Sequence, residues 1–349
     1  MNKKLFILLC LLIVVISGCS LKDSGSKPAT DKETADSEIS ETQFVLGTIA
    51  TIQIRDHGTN DLMKACFERL VEVENLMSTS IEGSDIWNVN HNGQVKTTVS
   101  EKTAFVIEKG IAFGAVSEGR FDISIGPLVD LWKIGTPEAR IPEPEEITEV
   151  MKRIDYKKIM LDGTNVSIME GMSIDLGGIA KGYAADQVAQ LLVDSGVKSA
   201  IINLGGNIKV IGSKEGGLPF KVGVQNPFDG RNSYLGIIST RDMSVVSSGD
   251  YERYFEENGK RYHHIFDKQT GYPVDTQIAS VSVVTPDGIK ADALSTVFFS
   301  IGVDKGFELA RELGDISLVY VMKDKTVFLS KELQETFELK DNTFNVMVK

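Results

Sequence analysis

Cysteine and histidine are scarce in this 349-residue chain, with three of the first and four of the second. No Cys/His cluster has the spacing of a zinc site. Basic charge is also short. Lys and Arg number 37 against 49 Asp and Glu, a formal net charge of −12. Such a balance carries no electrostatic footprint for nucleic acid and excludes it as a partner. There is no internal repeat and no clean linker between domains. The one long apolar run, Leu5 to Ile16, falls short of the ~20 residues that span a bilayer comfortably.

What is present at the N-terminus gives the location. Lys3 and Lys4 precede the apolar run, and small residues follow it, as in an export signal. Ile16-Ser17-Gly18-Cys19 resembles a bacterial lipobox. The resemblance implies a signal peptide over 1–18, cleavage before Cys19, and lipidation of its sulfur. The alternative is an ordinary signal peptide with an incidental cysteine. From Ser20 to about Glu41 the chain is polar and holds almost no large apolar residue. That composition predicts a flexible tether, with the folded domain over 42–349. With Cys10 lost in the leader and Cys19 lipidated, Cys66 is alone, which excludes a disulfide within the mature chain. It shares an apolar helical face with Leu62, Leu70 and Val73 and reads as a core thiol.

The folded part mixes strand and helix patterns. Phe44–Ile54 alternates as a strand, and helices are predicted over 60–77, 103–116, 145–153 and 179–194. The second half is richer in strands, with helices over 289–300 and 303–313 before a final strand pair. Strands in clusters, without regular βα alternation, predict an α+β fold. One compact unit with two intimately joined lobes is expected.

The block Ser173 to Asp186, SIDLGGIAKGYAAD, carries the most chemistry. An extended segment ending at Gly177-Gly178 just before a helix exposes backbone N–H groups and a positive helix end. Lys181 adds a charge. The spacing matches neither GxGxxG nor a P-loop, so a plain tight turn with a solvated lysine stays open. In KADALST, Asp292 and Thr296 lie four apart on one helical face and could offer two oxygen ligands to Mg²⁺. Equally, Asp292 could serve the helix dipole and Thr296 its own backbone. His263-His264 is a third block. Adjacent strand side chains face opposite ways, so one histidine at most enters a given pocket, and His264 could act as a general base near neutral pH. His57 and His91 lie in loop-like surroundings. Gly119 and Gly126-Pro127 bracket a segment read as a short strand holding Asp122, and Asn203 to Asn207 is another glycine turn. An acidic chain with an anionic ligand needs a cation or a local basic pocket.

Taken in order, FDISIGPLVDLW, IDLGGIAKGYAAD, NLGGNI, VGVQNP, HHIFDKQTG and KADALST resemble the ApbE family of FAD:protein FMN transferases. The resemblance covers nearly all of Phe44 to Lys349. It implies that FAD is bound with Mg²⁺, that its pyrophosphate is split with release of AMP, and that FMN is joined through phosphate to a threonine of an acceptor protein. The implied acceptor is a membrane or extracytoplasmic flavoprotein of an electron-transfer system. The implied metal positions are Asp292 and Thr296, the backbone of Gly178, and Ser295 close by. The implied flavin-nucleotide contacts are Leu46, Ser80, Arg120, Phe121, Asp122, Asp175, Lys181, His264 and Ile265. Asp292 and His264 are the implied catalytic pair. Three positions depart from the pattern: Leu46 replaces a methionine, Ser80 stands where an aromatic residue is common, and Lys268 replaces the proline of Asp-Pro. Two rivals share the site, a metal-dependent FAD pyrophosphatase and a lipoprotein that binds flavin without catalysis.

Overall fold

The fold is taken from a computed structural model, which describes residues 38–230 and 233–349. The expected leader, Cys19 and the expected tether as far as residue 37 lie outside the described residues. The centre is a nine-stranded sheet whose spatial order follows the chain. Its strands are β1 (Ile39–Val45), β2 (Thr48–Ile54), β3 (Ser199–Leu204), β4 (Asn207–Gly212), β5 (Ser244–Gly249), β6 (Ile278–Thr285), β7 (Ser317–Met322), β8 (Thr326–Leu329) and β9 (Asn345–Val348). Every pairing is antiparallel except β8 with β9. A dominantly antiparallel sheet bears out the α+β class.

Among the described residues eight α-helices join it: α1 (Asn60–Met77), α2 (Asp85–Asn92), α3 (Glu101–Val116), α4 (Gly126–Trp132), α5 (Pro144–Met151), α6 (Ala180–Asp194), α7 (Gly288–Ile301) and α8 (Val303–Leu313). Two separate lobes do not appear: Asp36–Lys349 is one compact unit, with a core on each face of this sheet. Side chains alternate across the strands, so Val246, Val283, Leu318 and Tyr320 join the helices in one core. Their neighbours Val245, Val284, Val319 and Val321 meet a small second sheet in another. A third cluster gathers Trp132, Ile147 and Phe266 beside the histidine block.

Several local expectations change. Phe44–Ile54 is not one strand but the end of β1 and all of β2, joined by a two-residue turn at Leu46-Gly47. Strand pairing begins at Ile39, two residues before the expected end of the tether at Glu41. His91 lies on α2, stacked on Trp87 with centroids 3.8 Å apart. The segment around Asp122 is a looped turn, not a strand, and only Ile125 bridges to Ser173. Cys66 is fully buried, and burial pushes its thiol up to about 12, as a core residue requires.

Candidate active site

The site grows from the crossing of α6 and α7. A Cβ on Gly182 would lie 2.2 Å from the Gly288 carbonyl oxygen and 2.7 Å from Asp292 Cβ, so only glycine lets the helices approach this closely. Across the crossing Gly182 N donates to Asp292 Oδ2 at 2.9 Å. The α6 start has no side-chain cap of its own, and Asp292 supplies one from another helix. The other oxygen, Oδ1, is 3.8 Å from Lys181 Nζ, which also donates to Gly177 O at 3.1 Å. The α7 start is capped separately. Asp287 accepts from Lys290 N at 3.0 Å, and Asp186 accepts from Gly288 N and Ile289 N at 3.0 and 2.9 Å. The α7 start thus has caps of its own, and the Asp292 carboxylate turns to the α6 start instead.

The acidic and glycine segment before α6 is clasped from both sides. Asn90 on α2 exchanges two hydrogen bonds with Ile174, at 2.7 and 2.9 Å, and Asp175 N donates to Ile123 O at 2.8 Å. Asp175 accepts from Gly177 N at 2.6 Å. Phe121 lies under Gly178, where a Cβ would meet its ring at 3.1 Å. Arg120 is half-buried, with no side-chain partner among the described residues. Asp122 differs from expectation. Its carboxylate accepts from Ser124 N and Oγ, Tyr156 N and Lys268 Nζ, and its carbonyl from Ile125 N. It anchors the loop and has little left to offer a flavin. Ser295 is likewise committed: it is buried, donates to Asp292 O, and lies 2.8 Å from Ser248 Oγ on β5, off the face shared by Asp292 and Thr296. Ser80 is exposed and bonds Ser78 within its own loop, and Leu46 packs at the hairpin tip.

The histidines separate as their alternation predicts. His263 is buried, its Nε2 3.0 Å from Val274 O and its ring edge-on to Phe299. His264 is half-buried just past the strand end, and Ile265 behind it is core. Its Nδ1 lies 3.2 Å from the Arg253 carbonyl, which can only accept, so the proton sits on Nδ1 and Nε2 keeps a lone pair. Burial first, then the Arg253 and Lys181 charges among others, pushes the imidazole down to about 3. In the free protein it is thus neutral far below the expected range, and an anionic phosphate beside it would raise it.

A resident metal fits this arrangement only in part. Among the described residues no three His, Cys, Asp or Glu side chains cluster to hold an ion. At α6–α7 Asp292 offers Oδ1, and Thr296 follows one turn on along α7, so the oxygen set is sparse. That sparse oxygen set suits Mg²⁺, which keeps water and takes ligands from substrate phosphates.

Asp186 and Asn90 escape a reading of the sequence for different reasons. Asp186 closes the informative block four residues after Gly182, a visible spacing. Asn90 clasps backbone from another helix and leaves no linear signal.

An α+β scaffold that sets a buried carboxylate, a lysine and a glycine-opened helix start beside a neutral histidine defines the class: enzymes acting on phosphate-bearing substrates. Comparison narrows it. The ApbE family profile matches residues 46–320. An FAD:protein FMN transferase of Klebsiella pneumoniae is 33% identical, covering 87% of this chain and 95% of its own. One of Treponema pallidum is 32% identical, covering 88% and 91%. The crystal structure of the ApbE protein from Thermotoga maritima superposes with a TM-score of 0.80 at 31% identity, over 86% of this chain and 99% of that one. The chain belongs to the ApbE family.

Proposed function

We propose that this enzyme transfers FMN from FAD to a threonine hydroxyl of an acceptor protein, releasing AMP. The observation that carries the reading is the Asp292 junction, a buried carboxylate joined to Gly182 N and facing Lys181, within a chain whose relatives bear that name. Lys181 offsets charge on the pyrophosphate, and Gly178 lets the Phe121 ring pack close against the backbone there. Arg120 supplies a second cation and Phe121 an aromatic wall for the flavin nucleotide. His264 Nε2 accepts the threonine proton as the new P–O bond forms and the bond to AMP breaks. Asp292, Thr296 and the Gly178 carbonyl would hold Mg²⁺, which neutralises developing charge on the leaving phosphate when bound.

The lipobox supports export and anchoring through Cys19, with the domain on the extracytoplasmic side and its acceptors on the same membrane. The test uses the soluble domain with FAD, Mg²⁺ and a membrane extract. Fluorescent flavin should appear on a protein band after denaturation, equal in amount to the AMP released. AMP and free FMN without a labelled band would instead indicate the pyrophosphatase.

A further inference from the structure

The histidine loop and the loop carrying Arg120 and Phe121 come from distant parts of the chain, yet one ion pair joins them. Asp122 Oδ2 lies 2.5 Å from Lys268 Nζ, with the carboxylate 1% exposed and the lysine 26%. The three other donors to that carboxylate, Ser124 N, Ser124 Oγ and Tyr156 N, all belong to the Asp122 side of the contact. Lys268 alone arrives from the histidine loop.

Both ends are rigid. On one side, Asp267 N donates to Tyr272 O and Gly271 N to Asp267 O, each at 2.8 Å, while Trp132 Nε1 donates to Gly271 O at 3.0 Å. On the other, Asp122 is held by its three donors other than Lys268, and Asp175 N reaches Ile123 O. The ammonium passes 5.2 Å from the Tyr156 ring centroid and 3.0 Å from where a Gly119 Cβ would stand. Gly119, at φ +80°, thus leaves the channel open. An ammonium held this way is positioned by packing, not by surface attraction.

We infer that the Lys268–Asp122 pair is a strap fixing the histidine loop against the flavin-binding loop, and that Lys268 is a positioning residue for transfer. His264 precedes Lys268 by four residues, and Arg120 and Phe121 precede Asp122 by two and one. The strap therefore acts with the Trp132 bond in setting the separation between the proton acceptor and the groups that seat the phosphate. The inference rests on the roles given above to His264, Arg120 and Phe121.

The test measures transfer kinetics and amide exchange together. Lys268→Met should lower kcat about tenfold per folded molecule, as loosened alignment of reacting groups does. It should also speed exchange at residues 120–124, outside the mutated loop. Lys268→Arg, which keeps the pair, should hold kcat within about threefold. Because Lys268→Met strands a buried carboxylate, Lys268→Met with Asp122→Asn is the decisive arm. It removes the stranded charge and should recover the melting temperature while kcat stays low. A wild-type kcat in that double variant, or unchanged exchange over 120–124, overturns the strap. The exchange result does not depend on which residue moves the proton. A normal His264→Ala enzyme would fault the site reading instead.

Discussion

Substituting Gly182 by alanine tests the α6–α7 junction without touching any group that meets substrate. The added Cβ would stand 2.2 Å from Gly288 O and 2.7 Å from Asp292 Cβ, both held by backbone and neither able to rotate away. Restoring ordinary separations moves the helices apart by on the order of 1 Å. That movement stretches the 2.9 Å bond from Gly182 N to Asp292 and shifts Asp292 relative to Lys181. Overpacking costs about 1–3 kcal/mol, partly offset by about 1 kcal/mol of helix propensity gained over glycine. The variant should therefore fold with a modestly lower melting temperature. Its transfer rate should fall about 100-fold, the usual effect of a 1 Å misplacement. Gly230→Ala, with nothing within 4 Å, is the control and should be silent. Initial rates of flavin labelling on an acceptor, read by in-gel fluorescence with the melting curves alongside, decide it. Wild-type kcat and KM for FAD in Gly182→Ala would refute the geometric reasoning.

Asp292→Asn keeps an acceptor for Gly182 N but removes the charge, so it should fold normally and abolish transfer, whereas Asp292→Ala should also lose stability; a fully active Asn variant with unchanged Mg²⁺ titration would sink the metal assignment. His264→Ala should slow transfer by ~10²–10⁴-fold with FAD still bound, while the conservative buried change His263→Gln should chiefly lower the melting temperature. Below pH 6.5 the unfolded chain protonates these histidines, but the folded one resists, since both are held down and His264 to about 3. Stability of the ligand-free protein should fall with pH across that window, and His264→Ala should flatten the fall in denaturant titrations. Cys19→Ser should leave turnover on a soluble acceptor unchanged and release the protein from membranes, as fractionation would show.

The sequence displayed whatever depends on local pattern. The α1 and α8 bounds follow from apolar spacing, and the separation of His263 from His264 follows from strand alternation. Two kinds of feature were hidden. Hairpin turns without a strong turn pair, as at Leu46-Gly47, let two strands read as one. Contacts between distant segments, such as Asp292 on the α6 start or Asp122 with Lys268, have no signature in either segment alone. Asp122 and Ser295 illustrate the consequence: the family resemblance implied ligand contacts, and only their neighbours reveal that their polar atoms are already engaged.

Those distant contacts bear on how the chain folds. Asn90 is joined to Ile174, β2 pairs with β3 some 150 residues on, and Gly182 waits for Asp292. Chains dominated by such pairings fold slowly, because long loops must close before any contact rewards them. The flavin site should thus be among the last features to form, because a nascent chain lacking α7 is without the Asp292 that joins the α6 start. Flavin binding should appear only in the final phase of refolding, after most far-UV signal has returned, making FAD itself a reporter of the completed native state.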